Sequence, residues 1–149
     1  MKSHYFAALF ACALFAAPFV SQSFAQEPAK ENKPTPTEQA TAAAEKWLAL
    51  VDTEKYDESW DESASLFRAA LTKEAWGKML TASRGSFGKL ISRKVKSAEF
   101  HTQLPGAPDG EYVVIQFETS FEKKKESIET VTPMKDKDGN WRVSGYFIK

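Results

Sequence analysis

Cysteine is nearly missing from this chain of 149 residues: the one present, Cys12, lies close to the start. A lone thiol forms no intramolecular disulfide and no four-thiolate zinc site. Histidine is almost as scarce, with His4 and His101 the two in the sequence; His4 falls in the segment read below as a leader, and His101 alone makes neither a multi-histidine metal centre nor a metalloprotease helix. A serine–histidine–acid triad would have to recruit His101, and the Gly-x-Ser-x-Gly elbow that presents such a serine does not occur. Neither sign of charge is in excess, with 20 basic and 20 acidic side chains, so the basic footprint of a nucleic-acid binder is lacking. Glycine occurs seven times, and Gly85-Ser86-Phe87-Gly88-Lys89 imitates a phosphate loop. It places two residues between its glycines where four are required, and it reads as a helix terminus.

The single long apolar run extends from Tyr5 to Val20, behind Lys2 and ahead of Ser23-Phe24-Ala25. This is the order of a secretory signal peptide, with cleavage expected after Ala25 and a periplasmic destination. The run is interrupted by Pro18 and is short for a bilayer core of roughly 30 Å, so no stable membrane anchor is expected after cleavage. Leu9-Phe10-Ala11-Cys12 imitates a lipobox, but Phe10 is bulky where a small residue is needed. Loss of residues 1–25 would remove Cys12, His4 and Lys2, leaving a cysteine-free chain with one acid more than bases.

Residues 26–37, QEPAKENKPTPT, hold three prolines and almost nothing apolar, and read as a disordered tether before a single domain over 38–149. Ala40, Ala44, Trp47, Leu48 and Val51 then recur at helical spacing. Asp52-Thr53 supplies a stop and a new N-cap. A second helix is expected to align Tyr56, Trp60, Ala64, Phe67 and Leu71. A third, capped by Thr72, aligns Trp76, Met79, Leu80, Ser83 and Phe87 and ends at Gly85 and Gly88.

Beyond Gly88 the period shifts toward two. The strands expected are Lys89–Thr102, Glu111–Phe121, Ser127–Met134 and Trp141–Ile148. The breaker-rich turn Pro105–Gly110, the charged turn Lys123-Lys124-Lys125 and the tight Asp138-Gly139-Asn140 hairpin separate them. In the first strand, the apolar residues change parity midway, which marks a bulge. The second strand turns Val113, Ile115, Phe117 and Phe121 to one face and Tyr112, Val114, Gln116, Glu118 and Ser120 to the other. The last sets Trp141, Val143 and Phe147 against Arg142, Ser144 and Tyr146. Helices first and hairpin-linked strands afterwards give an α+β fold with an antiparallel sheet of about four strands. One face packs on three N-terminal helices. The mixed outer face would be a binding surface or a dimer interface.

Among polar residues, Glu129 stands out because it falls mid-strand and out of phase with Ile128. In a partly dry cleft such a carboxylate is a candidate general base. The preferred reading is a cross-strand ion pair with Arg142. The acids of Asp57-Glu58-Ser59-Trp60-Asp61-Glu62 are a cation site in principle, but without a shaping glycine loop they read as a solvated helix face. Lys89, Arg93, Lys94 and Lys96 read as lysine-type protection of an edge strand.

Taken together, several motifs carry a resemblance. They are Trp47–Asp52, Tyr56 with Ser59-Trp60, Phe67-Arg68, Trp76, Arg84, Ser92-Arg93, Pro105–Tyr112, Glu129-Thr130-Val131 and Gly139–Tyr146. The chain resembles, over Ala40–Lys149 and in its leader, the bacterial exported family catalogued as domain of unknown function 4019. The resemblance implies a cone similar to the nuclear transport factor 2-like, or cystatin-like, superfamily, with helices capping a curved sheet. That superfamily holds isomerase-like and cyclase-like enzymes beside non-catalytic binding and dimerising domains, and fold analogy does not choose among them.

Three readings of function follow. The favoured one is a non-catalytic module that holds a small ligand or a protein partner, using Tyr112, Gln116, Arg142, Tyr146 and Arg84. The second is a cofactor-free acid–base enzyme that uses Glu129 with a tyrosine or Arg84. The third is a structural homodimer packed through its sheets. None of the three calls for a metal or a cofactor.

Overall fold

Thr35 opens the first helix. Its hydroxyl accepts from the amide of Glu38 at 3.2 Å, and the Glu38 carboxylate accepts from the Thr35 amide at 2.7 Å. This capping box, with Pro36 in the first turn, starts α1 (Pro36–Asp52) two residues inside the stretch read as tether. The chain is seen here in a computed structural model that describes residues 33–149; the leader, its cleavage after Ala25 and residues 26–32 lie outside the described residues. All five residues of the expected apolar stripe of α1 are buried.

The second expected helix is two. α2 (Tyr56–Asp61) stops, and α3 (Ser65–Ala70) starts on a new phase. At the break, the Ala64 amide donates to Val143 O at 2.8 Å, and Arg68 donates to the carbonyls of Asp61 and Ser63. These bonds close the end of α2 and tie the break to β4, and Ser63, Ala64 and Phe67 enter the interior. Thr53 ends α1 by donating to Ala49 O at 2.8 Å, but Lys55 and not Thr53 sits at the N-cap of α2. Thr72 caps α4 (Lys73–Phe87) as expected. The buried stripe of α4 runs through Trp76, Leu80 and Arg84, leaving Met79 exposed. Gly88 closes that helix at φ 74°, where a β-carbon would also lie 2.7 Å from the Glu122 carboxylate.

The strands are β1 (Leu90–His101), β2 (Tyr112–Phe121), β3 (Ser127–Lys135) and β4 (Trp141–Ile148). They form one antiparallel sheet in the order β1-β2-β3-β4. Each strand pairs only with its neighbours in sequence, so β1 and β4 are left as two separate edges. This corrects the expected nuclear transport factor 2-like cone: the sheet is neither closed nor curled, and among the described residues four helices, not three, stand before it. Four strands are too few to close on themselves as a barrel does, so β1 and β4 stay apart.

Two register shifts lie in β1, one between Val95 and Ser97, where a parity change was expected. A third shift, between Thr132 and Pro133 opposite Val143–Gly145, overturns the reading of β4. Beyond it Tyr146 turns toward the helices with Val143, and Phe147 points outward, 61% exposed. The core gathers Trp47, Leu48 and Val51 of α1, Phe67, Trp76 and Leu80, and Val113, Ile115, Phe117, Val131 and Val143 of the sheet. Trp47 donates to Ser59 O at 2.7 Å and Ser63 Oγ at 2.9 Å, so its indole N–H is satisfied in the dry interior.

Candidate functional site

The most concentrated chemistry among the described residues lies where α1 and α4 cross the sheet. Asp52 is the last residue of α1, Arg84 continues the apolar stripe of α4, Arg93 comes from β1 and Glu129 from β3. Arg84 donates to one Glu129 oxygen at 3.2 Å and to Asp52. Arg93 donates through Nε to the other Glu129 oxygen at 2.6 Å, and through its two terminal nitrogens to Asp52 at 2.6 and 3.0 Å. Two cations and two anions thus alternate in a closed ring, the arrangement that best offsets the cost of desolvating each charge. The Arg84 guanidinium also lies over the Phe121 ring, 4.3 Å from its centroid.

Glu129 is the centre of this ring and is wholly buried. Its Oε1 accepts from Arg84 and from the Tyr146 hydroxyl at 2.6 Å. Its Oε2 accepts from Arg93 and from the Thr119 hydroxyl at 2.6 Å. Four donors occupy two carboxylate oxygens, so neither is turned toward open space. Burial, and then the neighbouring Glu129 charge, raise the pKa of Tyr146 far above the ordinary phenol value. Arg93 is held above its ordinary value: burial works against its charge, but the bonds to Asp52 and Glu129 outweigh that.

The expected Glu129–Arg142 pair does not form. The register sets Ile148 beside Glu129 and Arg142 beside Met134, most of a strand away. Arg142 instead grips Asp138 at 2.8 and 2.7 Å across the β3–β4 turn. Tyr112, grouped with Arg142 on the outer face, is fully buried, and its hydroxyl donates to Pro108 O at 2.7 Å, pinning the β1–β2 loop. Gln116 does lie on the outer face, in a row of Ser97, Gln116, Thr130 and Phe147 across all four strands. Arg84 and Tyr146 meet at Glu129, on the opposite side of the sheet.

Sequence reasoning missed Asp52, Arg93 and Thr119 as members of this cluster. Arg84 carried the available signal: it falls four residues after Leu80 and eight after Trp76, so a charge on that stripe required buried counter-ions. Arg93 was masked by its lysine neighbours.

The acids of α2 are exposed, with Asp61 paired to Lys73 and Glu58 to Lys55. Among the described residues no group of three or more acidic, histidine or cysteine side chains is placed to hold a metal ion. No helix among them is long and apolar enough to cross a membrane. A groove of about 540 Å³ runs along one end of the outer face, lined by Ser92, Lys94, Glu118, Ser120, Ile128 and Lys149 among others.

No curated protein and no solved structure matches this chain. A family model described as "Protein of unknown function (DUF4019)" matches residues 43–146, a span running from the middle of α1 to Tyr146 and taking in all four ring residues. The chain belongs to that family.

Proposed function

We propose that this chain is an exported periplasmic binding module that holds a protein partner on the open face of its sheet and does not turn over a substrate. The observation that carries this reading is the saturation of Glu129. A general base must keep a lone pair within reach of a substrate proton, and both Glu129 oxygens already accept two bonds each from side chains locked in the fold. The acid–base alternative loses its base, and the ring becomes a clamp that fixes α1 and α4 on the sheet.

The outer face supports the binding reading by its shape. The row Ser97–Gln116–Thr130–Phe147 spans about 14 Å across four strands, mixing polar groups with an exposed phenylalanine. Such a broad face suits a protein surface better than a small molecule, which is normally enclosed on most sides. The leader signals between Lys2 and Ala25 support the periplasmic destination.

The test is native mass spectrometry of the chain purified from the periplasm, beside Thr130→Arg and Tyr146→Phe variants. The wild type and Tyr146→Phe should carry the same added protein mass, and Thr130→Arg should lose it. A stoichiometric small molecule lost on Tyr146→Phe and kept by Thr130→Arg would overturn the reading.

A further inference from the structure

The two edges of the sheet differ. On β4 the Val143 carbonyl is already taken by the Ala64 amide at 2.8 Å, so the α2–α3 junction sits against that strand. On β1, the longest strand, the outer edge has no bonded neighbour among the described residues. Three large apolar side chains stand exposed on it: Ile91 (59%), Val95 (43%) and Phe100 (42%). The shift between Val95 and Ser97 sets Val95 opposite Phe117 and Phe100 opposite Val113, so both lie on the same, helix-side face. Lys96 and Glu99 project from the other face. They are only loosely engaged within the chain, Lys96 3.9 Å from Glu118 and Glu99 3.8 Å from His101.

We propose that β1 pairs antiparallel with β1 of a second copy of this chain, joining two sheets of four strands into one. With the two-fold axis at Ala98, Val95 faces the partner's Phe100, the bulged pair Lys96-Ser97 faces the partner's Glu99, and Ala98 faces the partner's Ala98. Apolar side chains meet apolar ones on one face, and opposite charges meet on the other. A register centred two residues earlier would set Lys96 against the partner's Lys96, so the charges select one alignment. The bulge is what allows it: without the extra residue, Val95 and Phe100 would lie on opposite faces. Because the β4 edge is engaged by the α2–α3 junction, the pairing closes as a two-fold dimer and does not propagate into a fibre. This inference goes beyond the binding reading and stands or falls separately, since it uses the β1 edge and not the Gln116–Thr130 face.

The test is sedimentation equilibrium of the purified chain with Lys96→Glu, Glu99→Lys and the double exchange. The wild type should be a dimer. Each single reversal should weaken self-association by at least about tenfold, and the double exchange should restore most of it, because Glu and Lys again face each other. Independently, Ala98→Cys should oxidise to a covalent dimer, since directly opposed Cα atoms across a strand pair lie about 4.5–5.5 Å apart. Ala107→Cys, in the β1–β2 loop, should not. A monomer at every accessible concentration would overturn the proposal. So would a dimer indifferent to both single reversals, or one that Ala98→Cys fails to lock.

Discussion

Replacing Glu129 with glutamine keeps the shape of the side chain and removes one charge from a ring that has two of each sign. Arg84 and Arg93 would then share Asp52 alone, with side-chain exposures of 6% and 12% that give them little access to water. The amide group would also put a donor where Glu129 now accepts, against either Arg84 and Tyr146 or Arg93 and Thr119. Breaking one member of a buried ion cluster costs about 3–5 kcal/mol, because the charge left behind is uncompensated. That is a large share of the roughly 5–15 kcal/mol that holds a domain together. At about 4 °C per kcal/mol for a domain of this size, the melting temperature should fall by about 12–20 °C. Urea unfolding followed by tryptophan fluorescence reads the change directly, since Trp47 and Trp76 both lie in the core. The exposed Lys94–Glu118 pair supplies the control, and Glu118→Gln should leave the midpoint unmoved. Arg93→Met should cost less in the Glu129→Gln background than alone, with a coupling of about 1–3 kcal/mol. A Glu129→Gln protein within about 1 kcal/mol of wild type, or purely additive single changes, would refute the ring as a structural clamp.

Other consequences follow from single groups. Trp47→Phe removes the donor shared by Ser59 O and Ser63 Oγ and should cost about 1–3 kcal/mol in the same urea assay. Tyr146 has a raised pKa in the folded chain, so its contribution is complete below the ordinary phenol value near 10 and is lost as pH rises above it. Alkaline unfolding should therefore be shallower in Tyr146→Phe than in wild type. Asp136 accepts from the Ser65 amide at 2.9 Å and its hydroxyl at 2.7 Å, capping α3 from the β3–β4 turn. Those bonds hold its carboxyl below the usual range, so its contribution is full above about pH 4 and fades in acid. Asp136→Ala should cost about 1 kcal/mol at neutral pH, with the difference from wild type narrowing as pH falls toward 3.

Local chemistry made most of the fold legible. The stripe of α1, the Thr72 cap, the four strands and the inward set of β2 follow from spacing alone, because each is decided within a few residues. Readings failed where a distant partner decides the outcome. The break between α2 and α3 depends on Val143 O accepting from Ala64, and the face of Tyr146 depends on a bulge opposite Thr132 and Pro133. The cone failed for a related reason: whether β1 and β4 approach is a property of the whole sheet, which no run of residues encodes. Glu129 was marked as unusual from its phase in β3, yet its partners required the strand register. That register sets Ile148 beside Glu129 and leaves Arg142 five residues farther along β3, opposite Met134.

The central claim, that the chain works through the outer sheet face while the Glu129 ring only holds the fold, is tested most directly by photo-crosslinking in the periplasm of living cells. A photoreactive phenylalanine is placed in turn at Gln116, Thr130 and Phe147 on the outer face, and at Lys78 and Thr81 on the exposed side of α4. A partner held on the outer face gives the same protein adduct from the three sheet positions and none from α4. Adducts from Lys78 or Thr81 with none from the sheet would contradict it.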